Sequence, residues 1–182
     1  VLACPELALT EKPREVGSIQ TGTACAETGH PIRFLAGTLD VGEARATPLI
    51  GGLLDRIEDP GIVLIDAPPG TSCSVMEIVR EVDLVVLVTE PTPFGLHDLV
   101  LAVEMTRALG KPLTAVVNRS DLGHDDTQRY LEAQQIQVAA EIPFRQELAE
   151  AYAQGKIAAA ASPELCSLLR PLERRLIEEA SS

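Results

Sequence analysis

Two short runs, Ile62-Val63-Leu64-Ile65-Asp66 and Leu84-Val85-Val86-Leu87-Val88-Thr89, are apolar without polar alternation. A strand with one wet face alternates apolar and polar residues, so an unbroken run predicts a strand buried on both faces. That environment is the interior of a parallel sheet with helices on each side. The segments between and after the runs carry the complementary signal. Residues 43–57 place Ala46, Leu49, Ile50, Leu53, Leu54 and Ile57 at the spacing of an amphipathic helix. A helix over 72–81 and another over 95–109 follow, the latter closed by Gly110 with Pro112 just beyond. Further along, strand 113–118, helix 124–134, strand Val138–Ile142 and a last helix over 163–180 keep the alternation going. Strand and helix in turn predict an α/β fold, a doubly wound, mostly parallel sheet with helices on both faces. Ligands of such sheets sit at the carboxyl ends of the strands, where Asp66, Thr89, Asn118 and Pro143 are expected on one rim.

Residues 1–31 break this rhythm. Gly17, Gly22 and Gly29 punctuate short extended pieces, which predicts a β-hairpin or an inserted subdomain ahead of the short run Ile32–Leu35. The chain also opens without Met inside an apolar phrase, Val1-Leu-Ala-Cys-Pro-Glu-Leu-Ala-Leu9, and is expected to be part of something longer.

Charge narrows the partners. A net charge of −12 with no basic cluster argues against nucleic acid or an anionic membrane as a partner. The four cysteines, at 4, 25, 73 and 166, have no regular spacing, which predicts reduced thiols and a cytoplasmic setting. His30, His97 and His124 are scattered, with no acid or Cys at metal-ligand spacing.

The phrase Asp66-Ala-Pro-Pro-Gly-Thr-Ser-Cys73 carries the first functional signal. A strand that ends in an acid and runs into Pro-Pro-Gly can hold a magnesium-directed carboxylate beside a loop that senses a terminal phosphate. Gly70 would let a backbone N–H approach that phosphate unobstructed. A plain strand-to-helix turn is the other reading. A phosphate cradle of the form Gly-x-x-x-x-Gly-Lys-Ser/Thr is absent: the two Gly-Lys pairs, Gly110-Lys111-Pro112 and Gly155-Lys156-Ile157, follow no strand and precede no Ser or Thr.

Four phrases together are more specific. Asp66-Ala-Pro-Pro-Gly-Thr-Ser-Cys73, Val88-Thr-Glu-Pro-Thr-Pro-Phe-Gly-Leu-His-Asp-Leu99, Val117-Asn-Arg-Ser-Asp121 and Glu141-Ile-Pro-Phe144 resemble, in order and spacing, the MinD/ParA-type P-loop ATPases. The nearest branch is the one with an inserted ferredoxin domain, and the resemblance runs from Arg33 onward. It implies the carboxy-terminal portion of a P-loop ATPase domain over 32–182, lacking its first strand and phosphate loop. Residues 1–31 would then be the remnant of a ferredoxin-like insert with a connecting hairpin, and Cys4-Pro5 resembles the phrase that supplies the insert's last cluster ligand.

The implied ligands are ATP with Mg2+ and, in the insert, a 4Fe-4S cluster held in part by Cys4; Cys25, Cys73 and Cys166 lack the spacing to complete one. Asp66 would order magnesium through water and Gly70 would face the γ-phosphate. Asn118 and Arg119 would contact adenine, and Pro143 and Phe144 would line the base pocket, with ordinary core as the other reading of Phe144. The implied activity is ATP binding and hydrolysis coupled to dimerisation and to iron–sulfur or metalloenzyme maturation. The implied partners are a second copy or a related ATPase, met through the loop Thr89–Gly95, and an iron–sulfur or redox metalloenzyme client. Because the phosphate loop is missing, this chain alone is expected to be inactive, and a non-catalytic α/β binding or scaffolding module with a degenerate nucleotide site stands as the alternative. Asn118-Arg119-Ser120-Asp121 also resembles the Asn-Lys-x-Asp phrase that reads guanine, with Arg in place of Lys.

Overall fold

The computed structural model describes residues 12–25, 31–58, 61–123, 125–157 and 162–180. They fall into two compact units, 1–58 and 59–182.

In the first unit, β1 (Gly17–Cys25) and β2 (Pro31–Leu39) form an antiparallel pair with Thr21 opposite Leu35 and Gly17 opposite Leu39. The expected hairpin is present, and its second strand runs past the short stretch 32–35 to Leu39. Helix α1 (Thr47–Leu54) packs on this pair through Leu49 and Ile50, both buried. Its seat is Gly37, where an added Cβ would lie 2.8 Å from Leu53 Cδ1 and 3.1 Å from Leu49 Cδ2. The helix is shorter than the apolar spacing over 43–57 predicts. Pro48 lacks an N–H and fits only the first turn, so the helix begins beside it.

The residues ahead of α1 are held by Glu43 instead. Its carboxylate accepts from the Arg45 backbone N–H at 3.0 Å and pairs with the Arg14 and Arg45 guanidinium groups, and its side chain is 5% exposed. The Arg45 N–H bond, with help from both guanidinium groups, holds Glu43 below the ordinary carboxylate range.

In the second unit, α2 (Cys73–Glu81) buries Val75, Ile78 and Val79 on one stripe. Strand β3 (Val85–Thr89), helix α3 (Pro93–Ala108), strand β4 (Leu113–Asn118), helix α4 (Asp126–Ala133) and strand β5 (Val138–Ile142) then alternate. Helices α5 (Gln146–Ala153) and α6 (Pro163–Ala180) complete the unit. The three strands form a parallel sheet in the order β3-β4-β5. The fold is therefore α/β, a parallel sheet with helices.

Thr114 to Val117 of the central strand are all buried, as an apolar run inside a covered sheet requires. Leu99 and Val103 of α3, Ala115 and Val117 of β4, Leu131 of α4 and Ile136 form the core on one face. Helix α3 starts two residues earlier than its apolar spacing predicts, because Thr92 caps it: the Thr92 hydroxyl accepts from Gly95 N–H at 3.0 Å, with Pro93 in the first turn.

One expected strand is not formed. Residues 62–68 pair with no strand among the described residues, and Ile62, Val63 and Leu64 are 55%, 41% and 76% exposed. An apolar run becomes a strand only where a neighbour offers a hydrogen-bonding edge, and the run itself does not say whether that edge exists. Cys73 is exposed at the start of α2. Cys4, the expected cluster ligand, lies outside the described residues, as do His30 and His124. No helix among the described residues is long and apolar enough to cross a membrane.

Candidate functional site

Parallel strands end on the same edge of their sheet, so the residues just past β3, β4 and β5 become neighbours without being near in sequence. The register pairs Thr89 with Val117 and Asn118 with Ile142. One step beyond lie Glu90, Arg119 and Pro143-Phe144.

The loops after these strands are tied together by specific bonds. Ser120 N–H donates to Ile142 O at 3.0 Å, joining the β4–α4 turn to the end of β5. The Asp121 carboxylate accepts from Phe144 N–H at 2.6 Å, a charge-assisted bond that fixes the β5–α5 loop from the β4 side. On the opposite side, Gly123 lies against Pro91: a Cβ on Gly123 would stand 2.2 Å from the Pro91 carbonyl oxygen, so only glycine lets the two loops meet. The β3–α3 loop has its own brace, buried Thr89, whose hydroxyl donates to Gly95 O at 3.1 Å.

Arg119 spans the cluster. Its backbone is left-handed at φ 51°, uncommon for a side chain of this size. Its guanidinium carbon lies 5.7 Å from the Phe144 ring centroid, within the reach of a cation–π contact. Its Nε lies 3.5 Å from Glu90 Oε1. Asn118 is half-buried at the end of β4, and its side-chain amide has no hydrogen-bond partner among the described residues. An amide both donates and accepts, and a flat ring with an arginine across it is a wall against which a planar heteroaromatic group can stack.

Of the expected site residues, Asn118, Arg119, Pro143 and Phe144 thus share one rim of the sheet. Phe144 is 41% exposed and so is not an ordinary core residue. Asp66 is exposed and follows the unpaired run, so sheet pairing does not fix it at the carboxyl edge. Gly70 sits in an exposed turn at φ 87°, a conformation that favours glycine whatever the space around it.

The implied metals fit this chain unequally. Magnesium is commonly held by one or two carboxylates together with substrate phosphates and water, and Asp66 offers one such carboxylate. An iron–sulfur cluster needs thiolates brought together, and among the described residues no group of three or more His, Cys, Asp or Glu does so.

Glu90 and the loop-tying role of Asp121 are not expected from the sequence. The signal for Glu90 was present: an acid one residue past one strand and an Arg one residue past another meet if those strands are adjacent and parallel. Only the sheet order supplies that condition.

The fold and rim define an α/β protein in which Asn118, Arg119 and Phe144 stand together at the carboxyl ends of a parallel sheet. No family model matches the chain. It is similar to two uncharacterized proteins of Methanocaldococcus jannaschii, MJ0579 at 28% identity over 131 residues and MJ0578 at 26% over 113 residues. The matches cover 68% and 61% of this chain, which spans only 43% and 39% of the length of those relatives.

Proposed function

We propose that this chain is the base-reading and switch portion of a nucleotide-switch ATPase of the MinD/ParA type, in the branch with an inserted ferredoxin domain. The observation that carries the proposal is the convergence of Asn118, Arg119 and Phe144 at the ends of adjacent parallel strands, with a cation–π contact between Arg119 and Phe144. Adenine presents a donor and an acceptor on one edge and an apolar face on each side. An open amide beside an aromatic wall matches both.

In this reading Asp66 orders magnesium through water and the Gly70 N–H meets the γ-phosphate. The sheet is doubly wound and is completed beside β3 by a strand and phosphate loop that the 182 residues do not contain. Two features support the completion: among the described residues β3 is paired on one side only, with Val88 68% exposed, and the apolar run 62–65 pairs with no strand. An open apolar edge and an unpaired apolar run are what a missing interior strand would leave behind. ATP binding and hydrolysis would be coupled to dimerisation with a second copy or a related ATPase, in the service of an iron–sulfur or metalloenzyme client, with Cys4 as a cluster ligand of the insert.

The absence of a phosphate loop from the sequence favours a second reading, a binding or scaffolding module with a degenerate site. Hydrolysis separates the two. With the strand and phosphate loop supplied, Mg-ATP turnover should be lost in Asp66→Asn while the folded state is kept, because the amide preserves shape and removes the charge that orders the metal shell. Turnover unchanged by the substitution, with the same magnesium dependence, would make Asp66 a turn acid and remove this reading.

A further inference from the structure

We infer that Glu90 is a positioning residue for a planar ligand at this rim: it holds the Arg119 guanidinium over the Phe144 ring and readies the outer face of that pair for an uncharged heteroaromatic ring. The inference deepens the proposed function and, for the identity of the ring, rests on it.

The geometry is specific. Arg119 leaves β4 in a left-handed backbone conformation and reaches two neighbours at once, Glu90 beyond β3 at 3.5 Å and the Phe144 ring beyond β5 at 5.7 Å. The backbone of each partner is itself held. Glu90 O accepts from Thr92 N–H at 2.8 Å, at the start of capped helix α3, and Phe144 N–H is held by Asp121 at 2.6 Å. Two anchored partners on either side of a long side chain restrict it far more than one would, since an arginine otherwise keeps most of its rotamer freedom.

Charge gives the second half of the argument. A bare guanidinium at the mouth of a slot attracts anions. Paired with Glu90, Arg119 presents a nearly neutral, flat surface, suited to a base and indifferent to phosphate. Glu90 is half-buried and lies on the far side of Arg119 from Phe144 in sheet order, so it can hold the arginine without itself occupying the ring wall.

Adenosine is the probe for the test, because it carries no phosphate and its binding does not need a phosphate loop. In the 182-residue chain, side-chain NMR of the Arg119 Nε–H and the Phe144 ring reports the arginine's position with and without adenosine. Glu90→Gln should shift the Arg119 Nε–H and the Phe144 ring signals in the free protein. It should also weaken adenosine binding about three-fold, the scale of a half-exposed ion pair. Glu90→Asp should restore part of both effects. In Arg119→Ala, adding Glu90→Gln should change affinity no further, since the acid acts through the arginine.

If wild type binds no adenosine yet Glu90→Gln still releases Arg119 from Phe144, the positioning role stands and the base reading fails. Unchanged Arg119 and Phe144 signals in Glu90→Gln overturn the inference, as does a loss of affinity that adds in full to that of Arg119→Ala.

Discussion

Asp121→Ala removes the acceptor of the Phe144 N–H, a bond of 2.6 Å joining the β4–α4 and β5–α5 loops. A hydrogen bond to a charged group contributes about 1.5–3 kcal/mol. Asp121 and Phe144 are both exposed, so the freed N–H turns to water and the loss falls to about 1 kcal/mol. For a domain of this size that corresponds to a fall in Tm of about 3–5 °C. Asp121→Asn keeps an acceptor oxygen without its charge and should lose about half as much. Thermal melts of the two variants against wild type measure both shifts. Base selection makes the experiment sharper. In the proposed reading the bond positions a ring wall that would stack on adenine and guanine alike, so with the phosphate loop supplied ATP and GTP affinities should fall together, their ratio unchanged within about two-fold. A selective loss of GTP binding would show that Asp121 reads guanine, and an unchanged Tm would show that the tie between the loops carries no weight.

The remaining predictions concern the two units' own stability. Glu43 has a lowered folded pKa, so its contribution is present in full above its ordinary value of 4.5 and is lost as pH falls through the lower folded value. Hydrogen exchange across 17–39 should therefore show Glu43→Gln less protected than wild type at neutral pH, with the difference vanishing in acid; a difference that grows in acid would refute the assignment. Leu131 is 0% exposed within the core of Leu99, Val103, Ala115, Val117 and Ile136. Leu131→Ala should cost about 3–4 kcal/mol by urea unfolding, and a loss below about 1 kcal/mol would mean that the core collapses around the gap.

The parts of the fold that were legible in the sequence are those whose stabilising partners are close in sequence or guaranteed by a neighbour. Strands 113–118 and 138–142 form with the expected bounds because each is bracketed by elements that cover it. Helix α5 is not among the elements expected from the sequence: among its eight residues only Ala151 is buried, so little apolar periodicity marks it. The run 62–65 shows the opposite failure. Its composition is as strand-like as that of β3, yet composition reports a demand for burial and says nothing about supply. A strand's hydrogen bonds belong half to its neighbour, and no neighbour for this run stands among the described residues.

The candidate site divides along the same line. Asn118, Arg119, Pro143 and Phe144 could be picked out by residue type and by their place at strand ends, but the forces that arrange them act between loops 20 or more residues apart, as the Asp121–Phe144 bond shows with a separation of 23. Arg119 is the clearest case. A left-handed residue with a Cβ costs on the order of 1 kcal/mol, which glycine at the same position would avoid. Glycine would also remove the guanidinium that reaches Glu90 and Phe144. The backbone cost and the side-chain contacts therefore belong to one arrangement. The turn accepts strain, braced by Ser120 N–H on Ile142 O and Leu122 N–H on Arg119 O, and delivers a cation to the middle of three strand ends. That strain, held by its surroundings beside Asn118 and the exposed Phe144 ring, is what the proposed binding rim rests on.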